Sequence, residues 1–272
     1  MRRVEEAVML VTGSTDGIGK ETTMRLAGMG ATVLVHGRSH ERGEKALEEI
    51  REVTGNEKLG LVVGDLASLD QVRDMAEQVK GRHDRLDVLV NNAGVVSEKR
   101  VETEDGYELT FADNHLAPFL LTNLLLDLLK GSAPSRVITV SSVAHGGAGI
   151  DFDDPNLERG YTMNRAYAQS KLANLLFTYE LARRLEGTSV TANALHPGVI
   201  GTKLLETGFG GGGSSVDSGA ETPVYLATSE EVEGVSGKYF RNKKEAESSA
   251  SSRDEEAQRQ LWELSERMCG LS

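Results

Sequence analysis

Short apolar runs alternate with amphipathic or charged stretches along most of the chain. Apolar runs bounded by turn residues are typical of buried strands, whereas apolar positions three and four apart are typical of helices. We predict strands at residues 7–11, 31–35, 59–63, 86–90, 136–140, 189–195 and 238–240. We predict helices at residues 20–29, 41–53, 69–80, 105–129, 165–186, 223–227 and 255–268, with Ser68 or Asp70 capping the third and Pro118 bending or splitting the fourth.

The alternation of strands and helices predicts the fold class. Strands separated by helices are joined by right-handed crossovers, which give a parallel sheet with helices on both faces. We therefore predict one α/β domain over residues 1–272, with a single Rossmann-type, doubly wound, mostly parallel sheet of about seven strands flanked by helices. Two segments break the alternation: a flexible, glycine-rich substrate loop at about 203–220, and a polar C-terminal tail at about 243–272 that opens with a serine-rich mobile linker.

The composition narrows the range of partners and metals. Asp and Glu number 42 against 30 Lys and Arg, a net charge of −12, which disfavours nucleic-acid binding because phosphate recognition needs a positive field. The single cysteine, Cys269, excludes an internal disulfide, and the histidine spacing matches no metal motif, so no metal is predicted. No stretch is long and apolar enough to span a membrane, no secretory signal is recognised, and we expect a cytoplasmic protein.

A glycine-rich turn, Thr12-Gly-Ser-Thr-Asp-Gly-Ile-Gly19, follows the first predicted strand and opens the first predicted helix. In that context the glycines let the backbone approach a pyrophosphate, and the helix N-terminus offers free N–H groups and positive potential. The G-x-x-x-G-x-G spacing differs from G-x-G-x-x-G and from a P-loop, so an ordinary tight turn is an alternative for the glycines alone. The residues assigned to the cofactor here are Gly13, Ser14, Thr15, Asp16, Gly17, Ile18 and Gly19.

The end of the second predicted strand indicates which dinucleotide is bound. Sites that select NAD commonly carry an acid there, which bonds the ribose 2′-OH. This chain has Arg38 and Ser39 instead, which can clamp and donate to a 2′-phosphate, and it has no acid before Glu41. We therefore predict NADP(H), preferred over NAD(H), although an isolated arginine is more often a solvated surface residue.

Small and polar residues follow the third and fourth predicted strands. Asp65, next to Leu66, can accept a hydrogen bond from the adenine amino group, or act only as an acid at a helix N-terminus. Asn92, Ala93 and Gly94 can border the adenine ribose, or form a structural turn in which asparagine side chains hold backbone groups. We assign all of these residues to the cofactor site.

Tyr167 and Lys171 lie four residues apart in the clearest predicted helix, so their side chains project from one face. A free phenol has a pKa of about 10, and a neighbouring ammonium lowers that pKa by stabilising the phenolate. A neutral tyrosine hydroxyl can instead protonate a carbonyl oxygen as hydride reaches the carbon. A serine at the carboxyl end of the fifth predicted strand, Ser141 or Ser142, can hold the substrate oxygen against the tyrosine. Each feature is common by itself, and their combination carries the signal.

Taken in order, these motifs resemble the classical short-chain dehydrogenase/reductase family. They spread over about the first three-quarters of the chain. The matching elements are Thr12-Gly-x-x-x-Gly-Ile-Gly19, Asn91-Asn-Ala-Gly94, Asn114, Ser142, Tyr167-x-x-x-Lys171, His196-Pro-Gly198 and Thr202.

The resemblance implies a catalytic site of four residues. Tyr167 would be the general acid/base, Lys171 would lower its pKa and bind the nicotinamide ribose, and Ser142 would orient the carbonyl or alcohol. Asn114 would hold a water that links Lys171 to a proton relay. The residues expected against the nicotinamide are Pro197, Gly198, Val199 and Thr202.

A finer resemblance is to the retinol-dehydrogenase-like branch of the family. That branch commonly uses NADP(H), in agreement with Arg38, and the family implies a homodimer or homotetramer. Two features depart from it: the second strand ends in His-Gly-Arg rather than Cys-Arg, and the glycine run 210–213 has no counterpart. The matching segments are Asn114-His-Leu-Ala-Pro-Phe-Leu-Leu-Thr122, Val140-Ser-Ser-Val-Ala-His145, Ser170-Lys-Leu-Ala-Asn174, Glu180-Leu-Ala-Arg-Arg-Leu185 and Gly237-Lys-Tyr-Phe240.

These observations predict an NADP(H)-dependent oxidoreductase that transfers a hydride between nicotinamide and an apolar carbonyl or alcohol. Two alternatives stay open. One is an NADP(H)-binding redox sensor or regulator with little turnover, which the complete set of four catalytic residues disfavours. The other is an epimerase or dehydratase of nucleotide sugars, which the chain length and the glycine spacing disfavour.

Overall fold

The apolar runs of the sequence form the strands of one sheet in the computed structural model, which describes residues 3–271. The strands are β1 (Val8–Val11), β2 (Thr32–Gly37), β3 (Leu59–Val63), β4 (Val88–Asn91), β5 (Ser135–Val140), β6 (Val190–His196), β7 (Lys238–Arg241) and β8 (Lys244–Glu245). Their order is β3-β2-β1-β4-β5-β6-β7-β8, and every pair is parallel except β7 with β8. The predicted doubly wound, mostly parallel sheet is confirmed, and the short β8 adds an eighth strand.

Helices connect the strands and cover both faces of the sheet. None of those within residues 3–271 has the length and apolar character needed to cross a membrane. The helices are α1 (Gly17–Gly28), α2 (His40–Thr54), α3 (Leu69–Lys80), α4 (Leu109–Phe111), α5 (Ala117–Leu124), α6 (Leu126–Gly131), α7 (Met163–Arg184), α8 (Lys203–Phe209), α9 (Val216–Thr228) and α10 (Glu255–Met268).

The two halves of the sheet meet between β1 and β4. The chain runs outward from β1 to β3, then crosses back so that β4 lies on the other side of β1. Hydrogen bonds join the ends of these two strands: the backbone N–H groups of Asn92 and Ala93 donate to Thr12 Oγ1 at 2.9 and 3.0 Å. The Asn92 side chain also donates to the Thr12 carbonyl at 2.8 Å. Ligands of open α/β sheets bind at such a switch point, beyond the carboxyl ends of the strands.

Each face of the sheet has its own apolar core. Val8 and Leu10 of β1 pack into the core on one face, and Met9 and Val11 pack into the core on the other. Side chains of successive strand residues point to opposite faces, and all four are buried here. This double burial explains why the strands appear in the sequence as continuous apolar runs rather than as an alternating pattern.

The long helix predicted over 105–129 is shorter and broken. It begins at α4, and a π-helical turn, Ala112–Leu116, separates α4 from α5. In this turn the Ala117 N–H donates to the carbonyl five residues earlier, at Ala112. Pro118 follows directly and has no N–H, so it cannot donate to the Asn114 carbonyl as an ordinary helical residue would. The predicted disruption near Pro118 therefore lies just before the proline.

The loop predicted over 203–220 is largely helical, which corrects its predicted secondary structure. The helix α8 begins where Thr202 Oγ1 accepts from the Leu205 N–H, and α9 begins where Ser215 Oγ accepts from the Ser218 N–H. Between them residues 210–215 are not helical, and the four glycines at 210–213 have φ between 81° and 98°. The N-capping residues thus extend helix into a segment that glycine content alone marks as irregular.

The serine-rich segment that the sequence suggests as a mobile linker lies against the body of the protein. The Tyr179 hydroxyl donates to Ser248 Oγ at 2.7 Å, and the Ser249 N–H donates to His145 Nε2 at 3.1 Å. The tail then ends in α10, which buries Leu261 and Trp262.

Trp262 fastens α10 to the core through a cluster of rings. Its ring lies edge-on to Phe119 with centroids 4.9 Å apart, and it stacks on Phe177 with centroids 6.0 Å apart. The Arg184 guanidinium lies 4.2 Å from the centroid of its ring. These contacts make the indole the main anchor of the C-terminal helix.

Replacing Trp262 by alanine is expected to lower the free energy of unfolding by about 3–5 kcal/mol, the usual cost of removing a large buried aromatic side chain. Urea titration followed by circular dichroism measures the change. Val53→Ala on α2, where the side chain is 68% exposed, is the control and should shift stability by no more than about 0.5 kcal/mol. A similarly small effect of Trp262→Ala would contradict the docking of α10.

Candidate active site

A cavity of about 730 Å³ lies beyond the carboxyl ends of the strands, at the junction of β1 and β4. It extends from the glycine-rich turn and the end of β2 to α7 and α8. The structure brings almost all of the predicted catalytic and cofactor residues together along its wall. The exceptions are Ser14, Ser39 and Asn114, which do not line it.

The glycine-rich turn is packed too closely for side chains at several positions. Gly13 and Gly17 have φ of 68° and 55°, in the left-handed region that favours glycine. A Cβ on Gly19 would clash with the Gly13 carbonyl oxygen and the Asn92 side-chain amide. The first turn of α1 is therefore pressed against the strand ends, and its free N–H groups form an anion-binding cradle.

Ser14 and His36 hold this turn from the inside. Ser14 is fully buried; its hydroxyl donates to the Val11 carbonyl and accepts from the His36 N–H. The Gly13 N–H donates to His36 Nδ1 at 2.9 Å, so Nε2 carries the proton and donates to the Gly64 carbonyl at 2.9 Å. Burial lowers the pKa of His36, which favours the neutral ring that this arrangement requires. His36 was not among the site residues predicted from the sequence.

Two arginines border the cavity near the end of β2. Arg38 follows the strand and Arg42 lies in the first turn of α2. Neither forms an ion pair with a carboxylate within residues 3–271, so both guanidinium groups are available to a ligand. Ser39 occupies the N-cap position of α2 without a side-chain capping bond. Arg42 was not among the residues predicted from the sequence.

Tyr167, Ser142 and Lys171 form the polar centre of the cavity. The Tyr167 hydroxyl lies beside the Ser142 side chain, and Lys171 Nζ lies 5.5 Å from the centroid of the tyrosine ring. Lys171 Nζ also donates to the Val140 carbonyl at 3.3 Å. Ser141 Oγ instead donates to the Lys171 carbonyl at 2.7 Å, which ties α7 to the end of β5. The two adjacent serines thus have different roles, and Ser142 is the one beside the tyrosine.

Burial determines the protonation of this centre. It raises the pKa of Tyr167, and the neighbouring Ser142 side chain opposes that rise. Burial lowers the pKa of Lys171 to about 8, and the neighbouring Asp113 carboxylate opposes that fall. At neutral pH the phenol is therefore protonated and the ammonium form of the lysine predominates, which suits a tyrosine that donates a proton.

Asn114 is fully buried behind the cavity, in the middle of the π-helical turn. Its side-chain oxygen accepts from the Val95 N–H at 2.7 Å, and its amide donates to the Val95 carbonyl and to Ser170 Oγ, each at 3.0 Å. A Cβ on Gly94 would lie 3.3 Å from both Asn114 Oδ1 and Lys171 Nζ. The side chain is thus committed to the protein, and the backbone carbonyl lacks the N–H that an ordinary residue at position 118 would donate to it.

Exposed apolar side chains surround the mouth of the cavity. Val143, Val199 and Phe209 line it and are 42%, 56% and 43% exposed. The Phe209 ring lies edge-on to Tyr167, with centroids 5.4 Å apart. Such exposure of large apolar groups beside a proton-donating tyrosine favours an apolar ligand.

Comparison with known proteins agrees with this geometry. The family model described as short chain dehydrogenase matches residues 7–209. Retinol dehydrogenase 13 of Homo sapiens is 45% identical over 279 residues, which cover 97% of this chain and 84% of that protein. The crystal structure of an uncharacterised Mycobacterium paratuberculosis protein superimposes with a TM-score of 0.83 at 34% identity, covering 97% and 94% of the two chains. The Pseudomonas aeruginosa RhlG/NADP active-site complex gives a TM-score of 0.72 at 25% identity, covering 88% and 97%.

Gly19→Ala is expected to weaken dinucleotide binding about tenfold, because its Cβ would displace the turn backbone and overpacking of this kind costs about 1–3 kcal/mol. Titration of the protein into NADPH, followed by the change in nicotinamide fluorescence, measures the affinity. Gly28→Ala in the same helix is the matched control, because an added Cβ there meets nothing within 4 Å. Equal affinities for the two variants would show that the turn does not contact the ligand.

Proposed function

Because this chain belongs to the short-chain dehydrogenase family, and to its retinol-dehydrogenase-like branch, we propose that it is an NADP(H)-dependent oxidoreductase of an apolar carbonyl or its alcohol. The observation that carries the proposal is that Ser142, Tyr167 and Lys171 line the same cavity as the glycine-rich turn, with Lys171 Nζ 5.5 Å from the centroid of the tyrosine ring.

The wall of the cavity fits a phosphorylated dinucleotide along its length. The glycine-rich turn holds the pyrophosphate on the first turn of α1. Arg38 and Arg42 bind the 2′-phosphate, which distinguishes NADP(H) from NAD(H). Asp65 accepts a hydrogen bond from the adenine amino group. Lys171 holds the nicotinamide ribose, and residues 197–202 border the ring. The bound nicotinamide supplies or accepts the hydride.

The protein's own part in the reaction is to hold the substrate oxygen and move a proton. Ser142 and Tyr167 hold the carbonyl oxygen between their hydroxyl groups, and Tyr167 donates its proton to that oxygen. The resulting phenolate is stabilised by the Lys171 ammonium and by the Ser142 hydroxyl. In the opposite direction Tyr167 accepts the proton of the alcohol. A water on the Asn114 carbonyl connects Lys171 to solvent.

The apolar mouth supports the substrate class. Val143, Val199 and Phe209 offer contact to hydrocarbon, and none of them can pair with a charged or strongly hydrated substrate. Retinol, which appears in the name of the relative described above, is an alcohol on a largely hydrocarbon skeleton. We therefore place the substrate among aldehydes, ketones and alcohols with an extended apolar body.

Tyr167→Phe is expected to lower kcat for aldehyde reduction by about 10²–10⁴-fold, the usual contribution of a positioned general acid. NADPH oxidation, followed at its absorbance maximum with a panel of apolar aldehydes and ketones, measures the change. NADPH affinity should remain. Tyr225→Phe is the control, since that hydroxyl bonds to Glu231 outside the cavity. Tight NADPH binding without turnover on any carbonyl would favour a sensor or regulator.

Arg38→Leu is expected to raise KM for NADPH about 10–100-fold, because charge-assisted bonds to phosphate contribute about 1.5–3 kcal/mol. KM for NADH should stay within about twofold, because NADH has no 2′-phosphate for the arginine to hold. Steady-state kinetics with both cofactors measures the change. Arg51→Leu, on α2 outside the cavity, is the matched control. A preference of the unsubstituted protein for NADH would contradict the assignment of Arg38.

A further inference from the structure

A buried carboxyl group borders the cavity and takes no direct part in the proton transfer described above. Asp113 lies in the π-helical turn, is 7% exposed and lines the cavity. Its Oδ1 atom has no hydrogen-bond partner among the residues that the structure describes. Burying a carboxyl without hydrogen bonds is unfavourable, so an apolar side chain here would serve the fold better.

Charged groups from both parts of the cavity act on Asp113, and the strongest of them lies at the adenosine end. The charged groups that act on it are Asp65, Lys171 and Arg38, with Asp65 the strongest, and all three line the same cavity. Asp65 and Arg38 belong to the ends of β3 and β2, which hold the adenosine half in the proposed function. The side-chain amide of the neighbouring Asn114 is hydrogen-bonded to Val95 and Ser170. It therefore does not bond to the Asp113 carboxyl.

We propose that Asp113 is a recognition residue for the adenosine half of the dinucleotide, where its carboxyl hydrogen-bonds a polar group of the adenine or its ribose. The proposal rests on the proposed function, since it requires that the cavity bind NADP(H). It explains why an unpartnered carboxyl is retained at a buried position: the ligand supplies the missing hydrogen bond.

The protonation of Asp113 is compatible with a neighbouring pyrophosphate. Burial and the Asp65 carboxylate raise its pKa to about 7, while Lys171 and Arg38 oppose the rise. The neutral acid is therefore accessible near neutral pH. It can both donate and accept a hydrogen bond, and it avoids repulsion from the phosphates.

The test compares cofactor affinity with the stability of the free protein. Asp113→Val is expected to weaken NADPH binding about tenfold, the loss of one hydrogen bond to a buried group. Without cofactor, the midpoint of thermal unfolding of this variant should be higher than that of the unsubstituted protein, because the unpartnered carboxyl is gone. The increase in this midpoint on adding NADPH should be smaller in the variant. Asp127→Val, at an exposed position on α6 outside the cavity, changes the net charge equally and should alter neither quantity.

Asp113→Asn, which keeps a hydrogen-bonding side chain of the same shape, should lie between the unsubstituted protein and Asp113→Val in affinity. Deamino-NADPH locates the contact. If Asp113→Val weakens NADPH but not the deamino analogue, the partner is the adenine amino group; if both weaken equally, the partner is the ribose or a ring nitrogen.

Three results would overturn the assignment. Unchanged NADPH affinity in Asp113→Val with an altered pH profile of kcat would show that Asp113 acts only on Lys171. A fall in the unfolding midpoint of both variants with intact affinity would show a structural role. Failure of the unsubstituted protein to bind NADPH would remove the proposed function, and this proposal with it.

Discussion

The hydrogen bonds between Thr12 and the Asn92 segment hold the two halves of the sheet together at the point where the chain reverses direction. Gly19 has no Cβ and packs onto the same point, so the first turn of α1 cannot move independently of the strand ends. His36 extends the arrangement to a third strand end by bonding both Gly13 and Gly64. The groups that face a dinucleotide are thus positioned by backbone contacts that exist before any ligand binds, which reduces the ordering cost of binding.

The sequence predicts those parts of the molecule where burial imposes a recognisable pattern of apolar residues. The strands follow from apolar runs, and the joint projection of Tyr167 and Lys171 follows from helical spacing. Ser68 caps α3, as its position in the sequence predicts. Other turns and caps escape prediction because the sequence does not say which way a turn side chain faces. Ser14 points inward among neighbours that line the cavity, and the caps Thr202 and Ser215 act against the glycine run between them. Asp113 escapes for another reason: ordinary helical spacing does not anticipate a π-helical turn.

In that π-helical turn, consecutive side chains contact different parts of the protein. Asp113 borders the cavity, and Asn114 turns inward to hold Val95 and Ser170. His115 enters the aromatic cluster, where its Nε2 bonds Ser265 of α10 at 2.8 Å. One extra residue per turn therefore links the cavity, the helix that carries Tyr167 and the C-terminal helix within five positions. Segments of this kind are often found at functional sites, and here the reason is geometric.

The segment that carries α8 is closed at its base by two backbone bonds, from the Ser214 N–H to the Val199 carbonyl at 2.8 Å and from the Gly201 N–H to the Ser214 carbonyl at 2.9 Å. Between them the chain leaves the sheet and returns to the same place. Closing a longer loop costs little, only about 0.6 kcal/mol for each doubling of length. The segment around Phe209 can therefore change in length or sequence between homologues while Tyr167 and Ser142 keep their positions. Such modularity separates the evolution of substrate range from that of the chemical step.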